Sequence, residues 1–168
     1  MSRNPPVLTP CDRAADLRDF DLPHSCPFVC SVRVTPDQLS GVIEHVSNIE
    51  YVRWLDRAAE LHADSLGFTR QLLLEQGVMW FVARHEIDYL AETWLGDELL
   101  IATWVRDMKK VKSWREYVIV RPADRAVVCR AATLWVLVDL ASRRPCRISD
   151  EMIRSFQPLA ASAPAEQR

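Results

Sequence analysis

The stretch "GVIEHVSNIEYVRWLD", residues 41–56, begins as a loop and ends as an amphipathic helix. His45, Ser47 and Asn48 crowd the point of change. At about 100° per residue, Val52, Leu55, Ala59, Ala63 and Leu66 fall on one arc. Arg53, Arg57, Glu60 and Asp64 take the opposite arc, where i,i+3 and i,i+4 pairs form. This pattern predicts one long helix over residues 48–66, with a single buried face and Gly67 as its stop.

Two polar residues do not sort with the charged arc. Asn48 projects from the apolar side at the helix start, and Asp56 borders that side about 12 Å further along the axis. Asn48 or Ser47 serves structurally as an N-cap. The same helix start carries free N–H groups and the positive end of the dipole, which polarise a carbonyl or hold an anion. Asp56 reads as a border residue paired with Arg53, Arg57 or a strand arginine. It reads equally as a half-buried carboxylate whose raised pKa suits a general base.

Outward from the helix the period changes. "FVCSVRV" (28–34) is β-branched and stops at the turn signal Thr35-Pro36-Asp37. After Gly77, "VMWFVARHEIDYL" alternates, with Met79, Phe81, Ala83, His85, Ile87 and Tyr89 on one face. "ELLIATWVRDM", "KSWREYVIVR" and "AVVCRAATLWVLVDL" are further strands joined by short turns. A strand, a long helix and four more strands predict an α+β fold, with one face of an antiparallel sheet against the helix. Residues 1–27, rich in proline, read as an extended or partly disordered arm with one helical turn in "AADLRDF". Residues 28–157 form the domain, and 158–168 a flexible tail.

The totals exclude several functions. The chain has 168 residues and a net charge of -2, too little field for nucleic acid. The only basic knot, "MKKVK" at 108–112, reads as a solvated turn. No apolar run has membrane length or the form of a signal peptide, which predicts a cytoplasmic protein that does not enter a membrane. The five cysteines include no Cys-x-x-Cys pair, so reduced thiols are expected. No metal pattern surrounds His45, His62 or His85. With four glycines in all, there is neither a Gly-x-Ser-x-Gly elbow nor a phosphate-cradling loop.

"HVSNIEYVRWLDRAAE" resembles the His-Val-Asn-Asn-x-x-Tyr-x-x-Trp segment of the hotdog-fold acyl thioesterases. These include 4-hydroxybenzoyl-CoA thioesterase and the plant acyl-ACP thioesterases. The likeness continues in order through "HEIDYLAETWLGDELLIATWV", "SWREYVIVR" and "ATLWVLVDLASRRPCRI". It implies an antiparallel sheet wrapped around a long central helix, in a homodimer or a tetramer of dimers joined at strand edges. It further implies hydrolysis of an acyl-CoA or acyl carrier protein thioester at the subunit interface, with coenzyme A only as part of the substrate and no bound cofactor. A backbone N–H between Asn48 and Tyr51 would hold the carbonyl, with Ile49 and Tyr51 as substrate-binding positions, and a carboxylate would activate water or attack directly.

The carry-over of that carboxylate is incomplete. The aspartate usual before the Gly-His pair falls on Gly41 here, and Ser47 replaces a second Asn. Asp37 matches only across a small insertion, and Glu44 stands beside His45 as a substitute. Another branch of the superfamily carries its carboxylate on the central helix, where Asp56 stands. Asp56 is the first choice as base and Asp37 the second, with His45 and Asn48 as orienting or polarising groups. Two alternatives stay open. One is an acyl-thioester or fatty-acid binding module that has lost its base, and the other a 2-enoyl-CoA hydratase or dehydratase using Glu44 and His45.

Overall fold

A computed structural model gives the structure of the protein and describes residues 6–20 and 22–159. The strands are β1 (Thr9–Pro10), β2 (Phe28–Arg33), β3 (Val78–Tyr89), β4 (Glu98–Lys109), β5 (Lys112–Arg121), β6 (Ala126–Asp139) and β7 (Arg144–Pro145). They form one antiparallel sheet in the order β1-β2-β4-β5-β6-β3, with β7 added to β6. The helices are α1 (Asn48–Ser65), α2 (Arg70–Glu75) and α3 (Asp150–Phe156).

Helix α1 ends where Gly67 takes φ +86°. There the Phe68 and Gly67 amides donate to the carbonyls of Ala63 (2.9 Å) and Asp64 (3.0 Å), satisfying the last turn. The buried face differs from the expected arc. Tyr51, Trp54, Leu55, Ala58 and Ala59 are buried, while Val52, Ala63 and Leu66 are only half-buried. The stripe is rotated toward the two aromatic rings, whose area outweighs that of the smaller side chains. This rotation leaves the Val52–Asp56–Ala63 edge of α1 clear of the sheet.

The inner face of the sheet meets α1 through Val32, Leu99, Ile101, Tyr117, Ile119 and Ala131. The outer face is covered too, where a single covered face was expected. Leu17 and Phe20, on a 3-10 helix (Ala14–Phe20), pack on Val29, Leu100, Ala102, Trp104, Val118 and Val120. Residues 6–20, read as an arm, therefore lie against the domain, and β1 pairs with β2. With both faces covered, "LLIATWV" is buried without alternation. Helices α2 and α3 close one end of the sheet with Leu73, Met152 and Phe156 against Val105, Leu137 and Ile148. Residues 160–168 of the expected tail lie outside the described residues.

Strand β3 departs from its expected alternation. The register against β6 shifts between Val82 and Arg84, so Ala83 is an extra, bulged residue. His85 and Ile87 face inward opposite Thr133 and Ala131, but beyond the bulge it is Trp80 and Val82 that sit opposite Leu137 and Trp135. Directly opposed residues project to the same side, so Met79 and Phe81 no longer share the face of His85.

Candidate active site

The approach to α1 is fixed by backbone bonds. The Val46 amide donates to Thr93 O (2.9 Å), the Ser47 amide to Gln38 O (3.0 Å) and the Ser40 amide to His45 O (2.7 Å). His45 also bridges to Trp94, and its Nδ1 is buried without a partner among the described residues. Ser47 occupies the N-cap position but makes no side-chain capping bond, and Asn48, the first helical residue, points to solvent. The first-turn amides are thus not closed by the N-cap side chain; in that turn the Glu50 amide donates to Ser47 O (2.9 Å), and the buried Glu50 carboxylate pairs with Arg53 at 2.8 Å.

Asp37 belongs to this neighbourhood. It lies exposed on the 3-10 turn Pro36–Gln38 and accepts from Thr35 Oγ1 at 2.7 Å. Glu44 and Gly41 are exposed in the adjoining loop, and Ile49 is 65% exposed. Tyr51 is a core residue, its ring on Trp54 and Tyr89 and its hydroxyl 2.8 Å from Thr93 Oγ1. Val42, Ile43, Trp94, Leu95 and Leu90 add exposed apolar surface in the flanking segments.

Asp56 stands apart from that group. It lines a cavity of about 440 Å³ whose α1 wall runs from Asp56 through Ala59 to Ala63. Leu73 and Phe68, Trp80 and Val82 of β3, and Phe156 supply apolar walls. Ser113, Arg115 and Trp135 bring polar atoms to it. Asp56 pairs with Arg70 at 3.0 Å, and both side chains are about half exposed. Arg70 also pairs with Glu60 at 3.0 Å.

Several polar groups inside the fold escaped sequence reasoning. His85 Nδ1 is 2.9 Å from Thr133 Oγ1; burial lowers its pKa, against the opposing charge of Asp56. Tyr117 is pushed up by burial; Thr133 and Trp135 are its neighbours, yet its hydroxyl and Trp135 Nε1 complete no hydrogen bond of good geometry. His62 is held down to about 3 by burial first and the Arg115 charge second. Strand parity was the available signal: Ser113, Arg115 and Tyr117 share the face of Ile119, which turns to α1. Among the described residues, no group of three or more His, Cys, Asp and Glu side chains is placed to hold a metal. The cysteines are free, and burial pushes the Cys30 and Cys129 thiols up to about 12, so neither is a ready nucleophile. No helix among the described residues is long and apolar enough to cross a membrane.

A curled antiparallel sheet around one long helix defines an α+β hotdog fold. The chain belongs to the thioesterase-like superfamily, whose family model matches residues 19–156. It is 28% identical over 120 residues to the acyl-CoA thioesterase YbgC of Haemophilus influenzae, covering 71% of this chain and 85% of that one. It is 24% identical to oleoyl-acyl carrier protein thioesterase 1, chloroplastic, of Arabidopsis thaliana, over 83% of this chain; the match spans only 39% of the plant protein. Among solved structures, the 1,4-dihydroxy-2-naphthoyl-CoA thioesterase Slr0204 from Synechocystis superposes with a TM-score of 0.73 at 18% identity, covering 80% of this chain and 98% of that one. An acyl-ACP thioesterase from Bacteroides thetaiotaomicron gives 0.71 at 17% identity, covering 84% and 56% respectively. At these identities the structural likeness concerns the fold.

Proposed function

We propose that the protein hydrolyses an acyl thioester of coenzyme A or of an acyl carrier protein, as a homodimer. The observation that carries this reading is Asp56, a half-exposed carboxylate on the wall of a largely apolar cavity, on the same helix as an N-terminus whose N-cap side chain makes no capping bond. Asp56 takes a proton from water, and the oxygen adds to the carbonyl carbon. Amides of Asn48 or Ile49 hold the developing oxyanion. Collapse of the tetrahedral adduct breaks the C–S bond, the thiolate leaves with a proton, and the free acid remains. One such donor is worth about 3 to 4 kcal/mol.

Asp56 and Asn48 are about 12 Å apart along one helix, too far to serve the same carbonyl. They act together when the helix start of one protomer faces Asp56 of another. Strand β3 supports that assembly: it is the last strand of the sheet, half-exposed at Phe81 and Val82, and both residues also border the cavity. Incubating the protein with aromatic, short, medium and long acyl-CoAs while following free thiol tests the reading. Metal-independent release from at least one supports it, and no release from any of them or from the same acyl groups on an acyl carrier protein overturns it.

A second reading, a binding module without turnover, draws on Gly41 at the usual aspartate position and on the Asp56–Arg70 pair. Acyl-CoA binding in calorimetry without thiol release would favour it.

A further inference from the structure

Arg115 is 5% exposed, yet no carboxylate pairs with it among the described residues. Its hydrogen bonds there both leave from Nη1, to His62 Nδ1 (2.8 Å) and Thr103 Oγ1 (3.2 Å). Its Cζ lies 5.5 Å over the Phe156 ring. A guanidinium cannot accept a hydrogen bond, so His62 Nδ1 is the acceptor and the imidazole is neutral. The partners of this cation are therefore a neutral ring, a hydroxyl and an aromatic face.

Buried charge is costly unless paired, and arginine cannot escape by losing its proton. The remaining Nε–Nη2 edge makes no hydrogen bond among the described residues, and Arg115 lines the cavity. Two parallel N–H groups on that edge match the two oxygens of a carboxylate. Ser113, 3% exposed and two residues earlier on β5, lines the same cavity, and the buried indole Nε1 of Trp135 on its wall, beside the Tyr117 hydroxyl, completes no hydrogen bond of good geometry. Toward Asp56 the walls carry Ala59, Ala63, Leu73 and Val82, with Glu60, Asp64 and Arg70 as the charged lining beside Asp56.

The geometry points to a cavity that takes an acyl group ending in a carboxylate, bound side-on by Arg115, so that the preferred thioesters are those of dicarboxylic acids. This rests on the reading of the cavity as the acyl pocket of a thioester hydrolase. His62 is six residues beyond Asp56, about 9 Å along the helix axis. With Arg115 held at that level, the acid group and the thioester lie a medium-length chain apart.

The test compares adipyl-, suberyl- and sebacyl-CoA with hexanoyl-, octanoyl- and decanoyl-CoA, for the full chain and for Arg115→Met and Arg115→Lys. In the natural protein, kcat/KM for at least one dicarboxylic thioester exceeds that of its plain counterpart by about tenfold or more. Arg115→Met removes the preference and Arg115→Lys keeps part of it. If Arg115→Met does not fold, the natural ratio and the Arg115→Lys ratio decide. Plain chains cleaved as well as or better than dicarboxylic ones overturn the inference and leave the hydrolase reading intact. If no thioester is cleaved, calorimetry with free adipate, suberate and sebacate decides. Binding that the uncharged diols of the same lengths do not match, and that Arg115→Lys weakens, supports the carboxylate site while the hydrolase reading falls; no such binding removes both.

Discussion

Arg115 Nη1 donates to His62 Nδ1 at 2.8 Å, and the imidazole is stacked on Phe28 with ring centroids 5.2 Å apart. Burial and this cation hold His62 down to about 3 from an ordinary 6.5. The unfolded chain takes up a proton below its ordinary value while the folded one does not. His62 therefore costs nothing above about pH 6.5, and its penalty grows as the pH falls toward 3, by about 1.4 kcal/mol per unit. Urea midpoints between these limits should fall more steeply with acid for the natural protein than for His62→Gln, which keeps an acceptor for Arg115. Equal slopes would contradict a neutral His62.

Asp56→Asn should lower kcat by about two to four orders of magnitude and leave the fold in place. The salt bridge it loses is half exposed and worth about 1 kcal/mol or less. Thiol-release kinetics beside thermal melting separate the two effects. A variant with near-natural kcat would remove Asp56 as the base.

The N-terminal segment should act as part of the core. Leu17 is 2% exposed on the outer face of the sheet, and Leu17→Ala should cost about 2 to 4 kcal/mol in denaturant unfolding. A change under about 0.5 kcal/mol would mean that the segment is loosely held.

Phe81→Lys places a charge on the last strand of the sheet, where a partner edge would pair. Sedimentation should show dimers of the natural protein and monomers of the variant, with unchanged far-UV circular dichroism. A natural protein that sediments as a monomer at all concentrations would contradict the assembly.

Much of the fold was legible from periodicity. "KSWREYVIVR" is β5 residue for residue, and α1 begins at Asn48 as the pattern predicts. The helix face was misjudged because Tyr51 and Trp54 carry more area than the aliphatic positions that set the arc. The bulge at Ala83 leaves no mark in the residue types, so Met79 and Phe81 were put on the wrong face. Cover on the outer face by Leu17 and Phe20 depends on long-range packing that proline-rich sequence does not announce. Of the candidate site, Asp56 stood out by its place on the helix. Arg115 carried a parity signal, but its want of a carboxylate is a property of tertiary structure alone.

The most direct test mixes two inactive variants. Asp56→Asn removes the base, and Asn48→Pro removes a first-turn N–H at the first helical position, where proline is tolerated and the preceding Ser47 is already extended. Denatured and refolded together in equal amounts, the two should regain about a quarter of natural kcat, because half of the dimers are mixed and each carries one intact site. A mixture as inactive as either variant alone would contradict a site built from the helix start of one protomer and Asp56 of another.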